Sequence, residues 1–261
     1  MTEHCAHIAL IGRTNVGKST LLNQLIGSTI AITCHKSHTT RNRILGILTD
    51  DNYQMVFIDS PGLGEKTHNT IQRQMMRTTD HCISEADIIV FMTDQLPLNA
   101  ADQNVLKKLL KENKPIIGVV NKIDRNTLNH KAMEDINEQI PVVIPISAKK
   151  NQNLDILIAQ LRMQMPKAPF IFDTHQLSDQ DIRNQYAELI REQILLNCHA
   201  EVPHAIQVII EKAATIKDIE HIDCLILAQT PGQKGILIGK QGQQLKLIGQ
   251  RARVRIEHLI K

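Results

Sequence analysis

The stretch Gly12-Arg13-Thr14-Asn15-Val16-Gly17-Lys18-Ser19 constrains this chain more than any other. It follows the apolar run His7 to Gly12 and precedes Leu21, Leu22, Leu25 and Ile26, which recur at helical spacing and stop at Gly27. Strand, glycine loop and helix are the context that the pattern G-x-x-x-x-G-K-[ST] requires. Glycines let backbone N–H groups turn inward around a phosphate, and the helix N-terminus adds a favourable field. Lys18 is expected to reach the β- and γ-phosphates of a nucleoside triphosphate, and the Ser19 hydroxyl to ligate magnesium. Gly12, Asn15, Val16, Gly17 and Thr20 complete the expected cradle.

The runs Ile88 to Thr93, Ile116 to Val120 and Val142 to Ile146 are fully apolar and separated by helical patterns near 102–112 and 131–139, with another expected near 154–163. Such alternation predicts an α/β unit with a mostly parallel, doubly wound sheet. The segment from Arg43 to Asp59 reads as two strands around a turn at Asp50-Asp51-Asn52, which adds one antiparallel edge. Ligands of such sheets bind beyond the carboxyl ends of the strands.

Asn121-Lys122-Ile123-Asp124 follows one of those ends. A carboxylate there accepts from the N1–H and exocyclic amine of guanine, a pair that adenine lacks, so Asp124 selects the base. Ser147-Ala148-Lys149 ends the last strand and is expected to close over the guanine. Asp59-Ser60-Pro61-Gly62 ends another strand: Asp59 is expected to hold magnesium through a water, and the Gly62 amide to face the γ-phosphate. In the aperiodic run Ser37 to Arg41, Thr40 is the favoured residue to complete the magnesium shell, as part of a loop that orders with triphosphate and relaxes after hydrolysis. Lys18, Thr40 and Gly62 form the expected catalytic set.

Pro166 and Pro169 mark a change of pattern. The expected division is a nucleotide-binding domain over 1–166, a linker over 167–176 and a smaller α+β domain over 177–261. The second part holds a long amphipathic helix near 179–196, two strand-like segments, and a second glycine loop, Gly239-Lys240-Gln241-Gly242, before a final helix. This loop fits the G-x-x-G of an RNA-clamping KH domain, with Ile238 and Lys246 beside it. From Lys234 to Lys261 seven basic residues face one acid, a balance of +6, which leaves −3 on residues 1–233 of a +3 chain. That asymmetry points to a polyanionic partner.

Five scattered cysteines without C-x-x-C spacing fit reduced thiols. No signal-peptide pattern or apolar run long enough to span a bilayer is present, so a cytoplasmic location is expected.

The segments GRTNVGKSTLLNQLIG, TTRNRILGI, DSPG, NKID, PISAK and ELIREQIL stand in an order and spacing that resemble the Era family, in the translation-factor-related branch of GTPases. The resemblance covers essentially the full length. It implies a GTP/GDP and Mg2+ switch, small-subunit ribosomal RNA near its 3′ end as ligand, the 30S subunit as partner and ribosome assembly as role. It also implies a monomer, cytoplasmic or peripheral to the inner membrane face. Leu63 replaces the water-orienting glutamine of many switch GTPases, a replacement that the family shares, so slow hydrolysis is expected. Related GTPases with asparagine at the position of Asn15 use potassium, which predicts K+-stimulated turnover. Family members usually add a strand beyond the last helix; here RIEHLIK is the last segment, so a KH-like sheet short of that strand is expected. Two competing readings remain: a GTPase whose C-terminal part binds a protein or membrane surface instead, and a sensor that scarcely hydrolyses.

Overall fold

The computed structural model describes residues 2–31, 43–62, 70–125, 130–179, 181–198, 206–217 and 219–260. They divide into two compact units, the first ending at Asp179. The first unit runs β1 (His4–Gly12), α1 (Lys18–Ile26), β2 (Ile44–Asp50), β3 (Tyr53–Asp59), α2 (Thr70–Glu85), β4 (Ile88–Thr93), α3 (Ala100–Leu109), β5 (Ile116–Val120), α4 (His130–Asn137), β6 (Val143–Pro145) and α5 (Leu154–Gln164). The sheet order is β2-β3-β1-β4-β5-β6, and only the β2–β3 pairing is antiparallel.

Strand alternation divides the core. Ala6, Ile8 and Leu10 of β1 face α1 and α5, where they meet Leu21, Leu22, Leu157 and Leu161. Ala9 and Ile11 face the other way and join Phe91, Leu106, Leu109 and Ile136. With apolar side chains on both faces, the strands are buried by helices on both sides, as their continuous hydrophobicity requires. Gly46 of β2 allows α1 to lie close: a Cβ there would stand 2.5 Å from Leu22 Cδ1. Lys114 ties α2 down from outside, its ammonium donating to the carbonyls of Ile83, Ser84 and Ala86 at 2.7–2.8 Å. A cation at a helix C-terminus satisfies carbonyls that lack helical partners.

The proline-rich segment after α5 is hydrogen-bonded to the first unit. Gln54, fully buried in β3, accepts from the N–H groups of Ile171 and Phe172 at 2.8 and 2.9 Å and donates to the Phe172 carbonyl at 2.9 Å. The Ile47 N–H donates to the Leu177 carbonyl, and the Ser178 hydroxyl to the Leu45 carbonyl. Ala168 and Phe172 cover Cys5, Leu45, Val56 and Cys82. The sequence reads as a linker over 167–176 because nothing local announces contacts to a strand more than a hundred residues earlier.

The second unit contains α6 (Ile182–Asn197), β7 (Ile206–Ile216), β8 (Ile219–Ala228), α7 (Pro231–Ile238), a single 3-10 turn at Lys240–Gly242, and α8 (Gln243–Leu259). Among the described residues its sheet is the antiparallel pair β7–β8. Tyr186, Leu189, Ile190 and Ile194 of α6 and Ile248, Ala252 and Ile256 of α8 form its core, with Val208, Ile210, Ile222 and Ile226 of the hairpin packed against them. The apolar run before the second glycine loop is a helix, started by Thr230, whose hydroxyl accepts from the Gln233 N–H in a reciprocal capping box with Pro231 at the first position.

The Gln54 carboxamide accepts from two main-chain amides of the proline-rich segment after α5, so Gln54→Leu should lower the unfolding free energy by about 2–4 kcal/mol, read as a lower urea midpoint.

Candidate nucleotide site and second glycine loop

The expected nucleotide residues converge at the carboxyl ends of β1, β3, β5 and β6. Val16 is fully buried and anchors the glycine loop in the core. Gly17 adopts φ 107°, a conformation that excludes ordinary side chains, and starts α1 as its N-cap. Lys18 is buried, and its ammonium donates to the carbonyls of Gly12 and Arg13 at 3.1 and 2.9 Å. Burial pushes Lys18 down to about 8; Asp59 opposes this and Arg13 reinforces it.

Ser19 and Asp59 meet directly, the hydroxyl donating to Asp59 Oδ2 at 2.6 Å. Paired hard oxygens beside a phosphate cradle fit Mg2+, which takes few protein ligands and keeps phosphate and water oxygens. Among the described residues there is no cluster of three acidic, histidine or cysteine ligands. Two hydroxyls hold the segment after Asp59 in place: Ser60 donates to the Leu10 carbonyl at 2.7 Å and Thr79 to the Pro61 carbonyl at 3.0 Å. Gly62 then lies against the phosphate loop, where a Cβ would come within 2.7 Å of the Thr14 backbone. Thr20 follows in the first turn of α1, half-buried. Thr40 and Leu63 lie outside the described residues.

At the base-reading end, Asn121 acts as a bridge. Its amide donates to the Val16 carbonyl at 2.8 Å and accepts from the Ala148 N–H at 3.0 Å, joining the phosphate loop to the Ser147–Lys149 turn. The residue is buried, so both bonds are shielded from water. Lys122, at φ 65°, sends its ammonium to the Asn15 carbonyl at 2.6 Å and to Asp94 at 2.8 Å. Asp124 accepts from the buried Ser147 hydroxyl at 2.6 Å. That bond, more than the nearby Arg125 and Lys150, holds its carboxyl below the ordinary aspartate value. Asp124 remains partly exposed (15%), open to a base edge. Lys149 is exposed.

Sequence reading missed Arg13, Asp94 and Asp102. Arg13 donates to Asp102 at 2.7 Å and to Asp94 at 2.9 Å, while Thr93 donates to the fully buried Asp102 at 2.9 Å. The available signals were a charged residue inside the glycine loop and an aspartate just past the end of β4, where ligand sites gather.

In the second unit, Gly239 (φ 71°) closes α7, and a Cβ on it would stand 2.6 Å from Gln244 Cβ. Lys240, Gln241 and Lys246 are exposed, and Ile236, Ile238, Leu245 and Leu247 leave an apolar strip beside the loop. Gly242, with φ 75°, leads into α8. Several basic residues of α8 have internal partners: Arg255 pairs with Glu192 at 3.2 Å, Arg253 with Glu257 at 2.7 Å, and Arg251 bonds the Asn197 side chain. Lys240 and Lys246 are therefore better placed than Arg253 and Arg255 to meet a polyanion.

Two outcomes test the nucleotide site. Asp124→Asn replaces an acceptor by a donor, so guanine nucleotides should bind at least about a hundredfold more weakly, while xanthine nucleotides, which carry a carbonyl in place of the amine, should gain. An anion in the cradle raises the Lys18 pKa, so binding takes up a proton and GDP affinity falls as pH rises through about 8. Titration calorimetry near pH 8, below the range in which guanine N1 ionises, in buffers of different ionisation enthalpy reads that uptake.

Comparison with known proteins agrees with this geometry. Residues 7–122 match the family described as 50S ribosome-binding GTPase, and residues 201–261 match the KH domain. GTPase Era of Vibrio cholerae is 38% identical over 264 residues, 98% of this chain and 81% of its own. GTPase Era of Pseudomonas entomophila is 38% identical over 270 residues, 99% of this chain and 89% of its own. Era solved in complex with MgGDPNP and nucleotides 1506–1542 of 16S ribosomal RNA superposes with a TM-score of 0.92 at 32% identity, over 98% of this chain and 89% of that one. A variant of Aquifex aeolicus Era bound to GDP and AlF4− gives 0.93 at 32% identity, over 98% and 90%. With the phosphate loop, the base-reading loop and the G-x-x-G turn each formed on its expected element, and this identity along nearly the whole sequence, the chain belongs to the Era family of GTPases.

Proposed function

We propose that this protein is a GTP-hydrolysing switch that binds single-stranded small-subunit ribosomal RNA through its second unit and assists ribosome assembly. The observation that carries the reading is the Asn121 bridge with Asp124 pinned by Ser147, which joins a phosphate cradle to a guanine-selective carboxylate. Lys18 neutralises charge on the β- and γ-phosphates, the Gly62 amide faces the γ-phosphate, and Asp124 accepts from guanine. Ser19, and Asp59 through a water, would hold magnesium, with Thr40, outside the described residues, as the expected third ligand; the ion would offset charge on the phosphate oxygens.

For the second unit, the RNA reading draws on the KH match and on the relative solved with 16S ribosomal RNA. The use of Ile248, Ala252 and Ile256 in the core supports RNA over a lipid surface, since α8 has its main apolar stripe turned inward. No helix among the described residues is long and apolar enough to cross a membrane. On this reading the 30S subunit is the assembly partner and the protein works as a cytoplasmic monomer. Filter binding to a short single strand from the 3′ end of small-subunit RNA should weaken steeply with salt and by about tenfold on Lys240→Ala. Equal binding at low and high salt would overturn the RNA assignment.

The exposed Asn15, in left-handed conformation within the phosphate loop, is the residue on which potassium-stimulated turnover is proposed. GTP turnover should be faster in potassium than in sodium at matched ionic strength, and Asn15→Ala should erase the difference.

A further inference from the structure

Behind the phosphate loop lies a closed ring of interactions. Asp94 follows β4 and divides its carboxylate: Oδ1 accepts from Arg13 Nη2 at 2.9 Å, and Oδ2 accepts from Lys122 Nζ at 2.8 Å. Lys122 also donates to the Asn15 carbonyl at 2.6 Å, and Arg13 returns to Asn15 through the backbone of Thr14. Arg13 is fixed from its far side by Asp102, which is fully buried and held in turn by Thr93 and by the N-cap side chain of Asn99. The guanidinium thus has one immovable partner, Asp102, and one partner shared with the base-reading loop, Asp94.

We propose that Asp94 is a positioning residue that sets guanine-nucleotide affinity by locking Lys122, and with it the base-reading loop, to the outer half of the phosphate loop. The inference rests on the guanine-nucleotide reading above and names a residue outside its motifs. Three features favour it. Asp94, Arg13 and Lys122 are each only a quarter to a third exposed, so their contacts are protected from full solvent screening. The two cations approach different oxygens, so neither can replace the other without leaving a lone pair unmatched. Lys122 is held in a left-handed backbone conformation that costs free energy for a non-glycine residue and needs surrounding contacts to persist. Without Asp94 the Lys122 ammonium keeps the Asn15 carbonyl, but the Arg13 guanidinium loses its link to the loop that reads the base.

The test is a double-mutant cycle on the full chain with GDP as ligand: Asp94→Asn, Lys122→Met and the pair. Each single change should speed GDP release by about tenfold, and the pair should exceed the worse single by less than about threefold, because both break one link. KM for GTP should rise with Asp94→Asn by a similar factor while kcat moves by less than about threefold, the signature of lost binding common to ground and transition states. GDP release within about twofold of the parent, tighter binding from removal of a negative charge near a polyanion, or an additive cycle of about a hundredfold would each overturn the proposal. Should Asp94→Asn not fold, Asp94→Glu decides: it keeps the charge but displaces the carboxylate by one methylene, and unchanged GDP release would again overturn it. If the parent protein itself binds no guanine nucleotide, the guanine reading fails, which is a separate result.

Discussion

The nucleotide site depends on a single buried carboxamide. Asn121 donates to the Val16 carbonyl and accepts from the Ala148 amide, so one side chain after β5 fixes the loops that follow β1 and β6. Backbone groups in such loops face inward to receive a ligand and have few partners of their own. A buried amide with both ends engaged supplies those partners in a low-dielectric setting, where each bond is strong and its loss costs the desolvation of what remains. Gly17 is part of the same constraint: a Cβ there would stand 2.2 Å from Asn121 Nδ2. The second glycine of the phosphate loop is therefore required by its neighbour as well as by its own φ.

The two glycine loops use similar backbone devices in opposite electrostatic settings. Each places glycine next to a helix N-terminus and carries one lysine. Lys18 is buried, two carbonyls receive its ammonium, and desolvation lowers its proton affinity. Such a cation gains greatly from a phosphate that enters the same dry cradle. Lys240 is exposed, and its attraction to a phosphate is screened by salt. Burial, more than motif, sets the two lysines apart.

Much of this was legible in the chain because strand ends and ligand loops coincide. The runs at 88–93 and 116–120 are strands with the limits that their apolar character suggested, and Asp59, Gly62, Asn121, Asp124 and Ser147 all stand at carboxyl ends of strands. What escaped sequence reading involves pairing over long separations. Arg13 meets Asp102 across 89 positions, and Gln54 meets Phe172 across 118; no local pattern encodes either. The helix α2 was also missed, since its polar residues Gln72, Arg73, Gln74 and Arg77 obscure the periodicity of Met75, Cys82 and Ile83. The run before Gly239 was readable as strand or helix edge; Thr230, Pro231 and Gln233 decide for helix.

The segment beyond α5 has a bearing on how this protein can be dissected. Because Leu45 and Ile47 of β2 bond to residues 177–179, and Phe172 covers Cys5 and Val56, that stretch serves as a lid on the sheet margin. A fragment cut at the first proline would bare an apolar margin and unmatched main-chain groups, the surface on which chains stack into aggregates. An autonomous catalytic half therefore needs its boundary placed after Asp179, thirteen residues beyond Pro166, where the sequence pattern changes.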